Sequence, residues 1–206
     1  MSLAQWIVDR TLDNPVVFEL QQSLFNNYAA VLAEFAGILD RKNICILDVG
    51  CSTGTCAGQI IDMEANSYVG IDVSSKYIGI ARRRYAKGQF LAMDARHITF
   101  ANDSFDVAMF VGVLHHMDDR LIRDCLAEVR RVLKPGGRLV VAEPVFTPGN
   151  HLSNLFLSLD RGRNIRNEAG YRSLFHGYEI ERQRYFQLSL HRFCSYVLSP
   201  SRDVEA

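Results

Sequence analysis

The stretch Ile46-Leu47-Asp48-Val49-Gly50-Cys51-Ser52-Thr53-Gly54-Thr55 limits what this chain can become more than any other. An apolar, β-branched run leads into a turn of small residues, and a helical pattern follows at once. Such a strand-turn-helix belongs at the carboxyl edge of a parallel sheet, where Gly50 and Gly54 let a ligand approach the backbone because no side chain stands in its way. The surrounding pattern agrees. Ile44 to Val49, Tyr68 to Asp72, Gln89 to Met93, Phe105 to Val111 and Arg138 to Glu143 read as short buried strands. Between them Thr55 to Met63, Ser74 to Ala86 and Asp119 to Leu133 have helical length and period, with Ser74 and Asp118 or Asp119 available as caps. Strands alternating with helices imply a mainly parallel sheet joined by right-handed crossovers.

The two ends read differently. Up to about Leu39 the chain reads as helix: Asn14 before Pro15 starts it, and Leu20, Leu24, Tyr28, Val31, Leu32, Phe35 and Leu39 recur three and four apart as one apolar stripe. After Pro144 a helical patch is expected near His151 to Leu159, and the runs Tyr178 to Leu188 and Arg192 to Leu198 can pair as an antiparallel hairpin.

Composition removes several function classes. The 206 residues carry 23 basic and 23 acidic side chains, so no net field draws the chain to nucleic acid or to an anionic membrane. There is no apolar run long enough to span a bilayer, and residues 1–10 do not resemble a secretory leader, so a cytoplasmic protein is expected. The five cysteines suit reduced thiols rather than a disulfide framework, and Cys51 and Cys56 lack the second ligand pair that a structural zinc needs, so no metal is expected.

Three chemistries compete for the glycine turn. A nicotinamide fingerprint would need glycine where Ser52 and Thr55 stand. A hydrolase elbow fits Gly50-Cys51-Ser52-Thr53-Gly54 as G-x-S-x-G, with Ser52 as nucleophile. It follows the first strand, however, without an oxyanion segment, and His151, His176 and His191 have no clear acid partner. The third is a nucleoside site, because Asp72 closes the second strand where a carboxylate can accept from both hydroxyls of a ribose.

For this third reading five segments are decisive together: Ile46 to Gly54, Gly70-Ile71-Asp72-Val73-Ser74, Ala92-Met93-Asp94-Ala95, Phe105 to His116, and Val132-Leu133-Lys134-Pro135-Gly136-Gly137. In this order and spacing they resemble the successive motifs of class I S-adenosylmethionine-dependent methyltransferases, in particular the small-molecule branch. The likeness runs from about Asn43 to Glu143. It implies a doubly wound Rossmann-like α/β fold: a seven-stranded, mainly parallel sheet with an antiparallel C-terminal hairpin and an N-terminal helical cap. As one methyltransferase domain over 1–206, the chain divides into a cap (1–42), a cofactor-binding core (43–144) and a substrate-recognition segment with the hairpin (145–206).

Position by position, the resemblance implies that Gly50, Cys51 and Gly54 line the methionine part of S-adenosylmethionine with backbone, and that Asp48 helps to hold its ammonium. Asp72 would take the ribose hydroxyls, Val73 would pack on adenine, Asp94 would accept from the adenine amino group, and the Ala95 amide would serve the ring. Backbone around Phe110 and Val111 would close the methionine end, and Tyr28 on the cap would act as a lid. The family usually has glycine where Ser52 stands and a small or polar residue where Phe110 stands.

Methyl transfer is an in-line displacement, so aligning the acceptor and excluding water can carry most of the rate, and S-adenosylhomocysteine is left as product. A general base helps a hydroxyl or phenol acceptor, and His115 and His116 after the fourth strand are the candidates, against the plainer reading that they pack in the loop. Arg161, with Arg163 and Arg166, can grip an anionic group on a small-molecule acceptor, whereas Tyr171 and His176 are candidate pocket walls in an aromatic-rich last third. A chain of this length leaves little room for an acceptor domain, so a second copy in a homodimer is one way to complete the pocket. The expectation is methyl transfer to a small molecule; the alternatives are a non-catalytic S-adenosylmethionine-binding or interaction protein and the Ser52 hydrolase.

Overall fold

A computed structural model of the chain describes residues 28–159, 164–188 and 190–201. Its centre is a seven-stranded sheet built from β1 (Cys45–Val49), β2 (Ser67–Asp72), β3 (Gln89–Ala92), β4 (Phe105–Val111), β5 (Leu133–Pro144), β6 (Tyr178–Leu188) and β7 (His191–Pro200). The strands lie in the order β3-β2-β1-β4-β5-β7-β6. All pairings from β3 across to β5 are parallel, whereas β7 runs antiparallel to both β5 and β6. The mainly parallel sheet and the closing hairpin are those the sequence implies.

Side-chain alternation explains why both faces are covered. On β1, Ile46 packs into one apolar cluster and Leu47 and Val49 into the other; on β4, Val107 and Met109 oppose Ala108 and Phe110 in the same way. One face carries α4 (Asp119–Val132), which inserts Ile122, Cys125, Leu126, Val129 and Val132 at helical spacing. The other carries α1 (Ala29–Glu34), α2 (Thr55–Ile60) and α3 (Ser75–Arg84). Here Tyr28, Val31, Phe35 and Leu39, spaced three and four apart, are all buried, so the described part of the N-terminal stripe faces the core. The rest of that stripe lies outside the described residues.

Two of the caps have the expected chemistry. The Ser74 hydroxyl accepts from the Tyr77 amide at 3.3 Å, and the carboxylate of Asp118, not Asp119, accepts from the Leu121 amide at 2.8 Å. Each such cap contributes about 1 kcal/mol. The C-terminal third holds α5 (His151–Leu159) and α6 (Glu168–Arg172), the latter capped by the Asn167 side chain on the Gly170 amide.

Strand order reverses direction between β1 and β4: the chain lays β2 and β3 to one side of β1 and then returns to place β4 on the other. At such a switch point the loops leaving the two strands part company and open a crevice at the carboxyl edge.

Candidate functional site

Leaving β1, the backbone turns sharply. The amides of Gly50 and Cys51 both donate to the Ile71 carbonyl, at 2.8 and 3.0 Å, and the Gly54 amide closes the turn on the Cys51 carbonyl. Gly50, Ser52 and Gly54 all take left-handed backbone, with φ of 77°, 51° and 76°. Two of these positions are glycine, which adopts that region without strain. Ser52 is not, and its hydroxyl is enclosed without a hydrogen-bond partner. Gly50 is also sterically required, since a Cβ there would stand 2.6 Å from Val113 Cγ1.

The crevice is lined by Tyr28, Asp48, Gly50, Cys51, Ser52, Thr53, Thr55, Cys56, Val111 and Gly112. Tyr28, Asp48, Gly50, Cys51 and Val111 are among the residues expected from the sequence; Thr53, Thr55, Cys56 and Gly112 were not singled out, although all but one belong to the same glycine turn and helix start. Phe110 is different: its ring is wholly buried in the core beneath α4, so only its neighbours Val111 and Gly112 reach the crevice.

Two carboxylates set the electrostatics. Asp48 is 3% exposed and accepts a hydrogen bond from the Tyr68 hydroxyl at 2.7 Å. Burial, opposed by that bond and reinforced by the charge of Asp72, lifts its pKa to about 7. Asp72 stands at the end of β2, on the other side of the glycine turn. Its Oδ2 accepts from the Ser52 amide at 3.0 Å and its Oδ1 from the Ser74 amide at 2.8 Å. Burial raises its pKa, and these two donors pull it back. The turn and the carboxylate therefore hold each other in register, and each oxygen retains capacity for a further donor.

Next to Asp72, Val73 is 76% exposed, an apolar side chain in solvent at the mouth of the site. Ala95 is buried, and Asp94 is engaged by the Arg96 fork, which donates to both oxygens and, with the Arg96 amide, holds the carboxyl down at about 2. An adenine amino group would have to share Asp94 with that fork.

The loop after β4 contains a short 3-10 turn, Leu114–His116. His115 is 6% exposed and its Nδ1 lies 2.7 Å from Oε2 of Glu143, while its ring packs against that of His116 with centroids 4.0 Å apart. Glu143 was absent from the residues singled out in the sequence. Its signal is there, a carboxylate at the end of the apolar run Leu139 to Ala142, where a buried charge demands partners.

Three acceptor-site expectations need correction or fall outside. Tyr171 is wholly buried and spends its hydroxyl on the Pro144 carbonyl, so it is core and not pocket wall. His176 is exposed just before Tyr178, which pairs with Pro200 at the opposite edge of the sheet from the crevice. Arg161 and Arg163 lie outside the described residues. Their neighbour Arg166 is committed as a clamp, donating to the carbonyls of Leu114, Asn164 and Met117 and to Asp119. The hydrolase alternative lacks its base, because Ser52 has no imidazole bonded to it, while His115 is held by Glu143 and His191 by Ser153. Among the described residues no cluster suits a metal and no helix is long and apolar enough to cross a membrane.

The arrangement fits a nucleoside with a cationic arm. A turn of left-handed backbone whose Gly50 to Thr53 stretch lines the crevice, a ribose-compatible carboxylate on the β2 side and an enclosed carboxylate on the β1–β4 side match the parts of S-adenosylmethionine.

Comparison with known proteins points the same way. Residues 46–137 match the family model for a methyltransferase domain. The chain is 37% identical over 147 residues to an O-methyltransferase of Pyrenophora dematioidea, covering 63% of this chain and 54% of that one. It is 43% identical over 104 residues to an O-methyltransferase of Aspergillus nomiae, covering 48% and 45%. It thus spans about half the length of the curated relatives it matches. In fold it is similar to an S-adenosylmethionine-dependent methyltransferase structure from Aquifex aeolicus, with a TM-score of 0.67, 17% identity and coverage of 94% of this chain and 97% of that one.

Proposed function

With residues 46–137 of this chain carrying the domain of the class I S-adenosylmethionine-dependent methyltransferase family, we propose that it transfers the methyl group of S-adenosylmethionine to a small-molecule acceptor. The observation that carries this reading is the crevice between β1 and β4, with a glycine cradle, the buried Asp48 inside it and Asp72 beside it. When bound, the cofactor supplies an activated methyl group on a sulfonium. The residues of the chain bind, orient and exclude water.

In this reading Asp72 accepts from the ribose hydroxyls, Val73 gives adenine an apolar surface, and the Ala95 amide with Asp94 serves the adenine edge. Asp48 holds the ammonium, and Gly50, Cys51, Gly54 and the backbone at Phe110 and Val111 follow the methionine arm. Tyr28, buried at the start of α1, covers the crevice from the cap. His115 and His116 are the base candidates; the His115 ring turns Nδ1 to the Glu143 carboxylate, which keeps Nε2 as its basic nitrogen.

Oxygen acceptors are the first class to assay, because the names of the Pyrenophora and Aspergillus relatives specify O-methyl transfer. Neutral overall charge argues for a small molecule over nucleic acid. The cytoplasm as location and a homodimer as assembly are carried only by the sequence features given above. The test is release of S-adenosylhomocysteine and transfer of labelled methyl over a panel of phenols, hydroxyacids and amines. Acceptor-dependent transfer supports the enzyme. Tight cofactor binding with no transfer across the panel would favour the non-catalytic binding protein instead.

A further inference from the structure

Glu143 is the most completely enclosed charged residue described, at 0% exposure, and it ends β5 beside the crevice without lining it. Its Oε1 accepts from the amides of Val113 and Leu114, both at 2.8 Å, and its Oε2 accepts from the amide of His115 at 3.2 Å and meets His115 Nδ1 at 2.7 Å. Four donors thus converge on one buried carboxylate, and all four belong to the loop that follows β4. The preceding residue is tied down too, since the Gly112 amide donates to the Ala142 carbonyl at 2.8 Å.

That loop is in direct contact with the site. Val111 and Gly112 line the crevice, and Val113 fills the space that a Cβ on Gly50 would need. A carboxylate stripped of water is stable only while its hydrogen bonds are made, so the loop and Glu143 fix each other at a single spacing. The carboxylate accepts, so His115 must donate from Nδ1, which also fixes its tautomer.

We propose that Glu143 is a positioning residue of the cofactor site: through its bonds to residues 113–115 it sets the wall that meets the methionine arm and holds His115 in one tautomer. The proposal rests on the cofactor reading above. Its consequence is selective, because Glu143 acts on the β4 side of the crevice whereas Asp72 acts on the β2 side.

The experiment compares two ligands on wild type and Glu143→Gln by calorimetry: S-adenosylhomocysteine, and 5′-methylthioadenosine, which keeps the nucleoside and thioether but lacks the amino-acid arm. Replacing charge-assisted bonds by neutral ones should weaken S-adenosylhomocysteine about tenfold or more while 5′-methylthioadenosine changes less than about twofold. Asp72→Ala should weaken both. His115→Asn, which removes only the ring bond, serves where Glu143→Gln does not fold, and should show the same selectivity at smaller size. The Nδ1–H proton of His115, observed by nitrogen-edited NMR in wild type, should shift or vanish in Glu143→Gln. Equal losses for both ligands would mean that Glu143 merely supports the fold and would overturn the proposal, as would unchanged binding of S-adenosylhomocysteine. If folded wild type binds neither ligand, the cofactor reading itself has failed and this inference falls with it.

Discussion

Asp48 gives the sharpest quantitative expectation. Its carboxyl sits at about 7 because burial outweighs the Tyr68 hydrogen bond, so in the empty site it is about half ionised at neutral pH. A cationic ammonium is held by the ionised form. The ionised fraction rises from about one tenth at pH 6 to about nine tenths at pH 8, so the apparent affinity for S-adenosylhomocysteine should rise roughly tenfold, or about 1.4 kcal/mol, across that window. At pH 7 binding should release about half a proton, read from calorimetry in buffers of different ionisation enthalpy. The groups facing Asp48 do not share this window: burial pushes the Tyr68 hydroxyl and the Cys51 and Cys56 thiols upward, away from it. Asp72 is also raised, so Asp72→Ala is measured over the same pH range as a control. The stability of the empty protein should move oppositely. Because the folded pKa lies above the unfolded value of about 4, the native state keeps a proton that the unfolded chain has lost, and Asp48 makes stability fall as pH rises from about 4 to 7. Asp48→Asn should flatten both profiles. A wild-type affinity that does not change between pH 6 and 8, or the same slope in Asp48→Asn, would refute the reasoning.

Three further substitutions test the turn and its surroundings. Gly50→Ala and Gly136→Ala both put a Cβ on left-handed backbone, but only the first meets another side chain, so denaturant melts should show a loss of about 2–5 kcal/mol at Gly50 against about 1–2 at Gly136; equal losses would contradict the Val113 contact. Ser52→Gly removes both a left-handed serine and an enclosed hydroxyl without a partner, and after the extra chain entropy of glycine should still gain about 1 kcal/mol, a melting temperature about 2–4 °C higher. A lower melting temperature would mean that the hydroxyl has a role in the folded state. Arg166→Ala takes the guanidinium donor from the Asn164 and Met117 carbonyls and leaves Leu114 only the Met117 amide, and should cost about 1–3 kcal/mol; a variant as stable as wild type would show that the clamp contributes nothing.

Where periodicity and local spacing carry the information, the sequence is readable. Strands Phe105–Val111 and Tyr178–Leu188 and helix His151–Leu159 have the bounds that their residue patterns suggest. Strand β5 starts earlier than Arg138, at Leu133, because Leu133 already pairs with Phe105 and the turn-like Pro135 and Gly136 fall in a register slip before Arg138 pairs with Val107. The crevice was legible at Asp48, Gly50 and Cys51, which lie on one contiguous strand and turn. It was not legible where distant chain segments decide: Pro144 taking the Tyr171 hydroxyl, and above all Glu143 gathering the loop after β4. Those contacts depend on which strand ends become neighbours, and a pattern of residue types does not specify that.

The most direct test of the account is calorimetric titration of the purified protein with S-adenosylhomocysteine beside Asp72→Ala. Asp72 is fixed by two backbone amides with each oxygen able to accept more, so it should add charge-assisted bonds to the ribose worth about 1.5–3 kcal/mol. The account predicts micromolar binding that Asp72→Ala weakens at least tenfold. No binding by well-folded wild type, or equal binding by the variant, would contradict it.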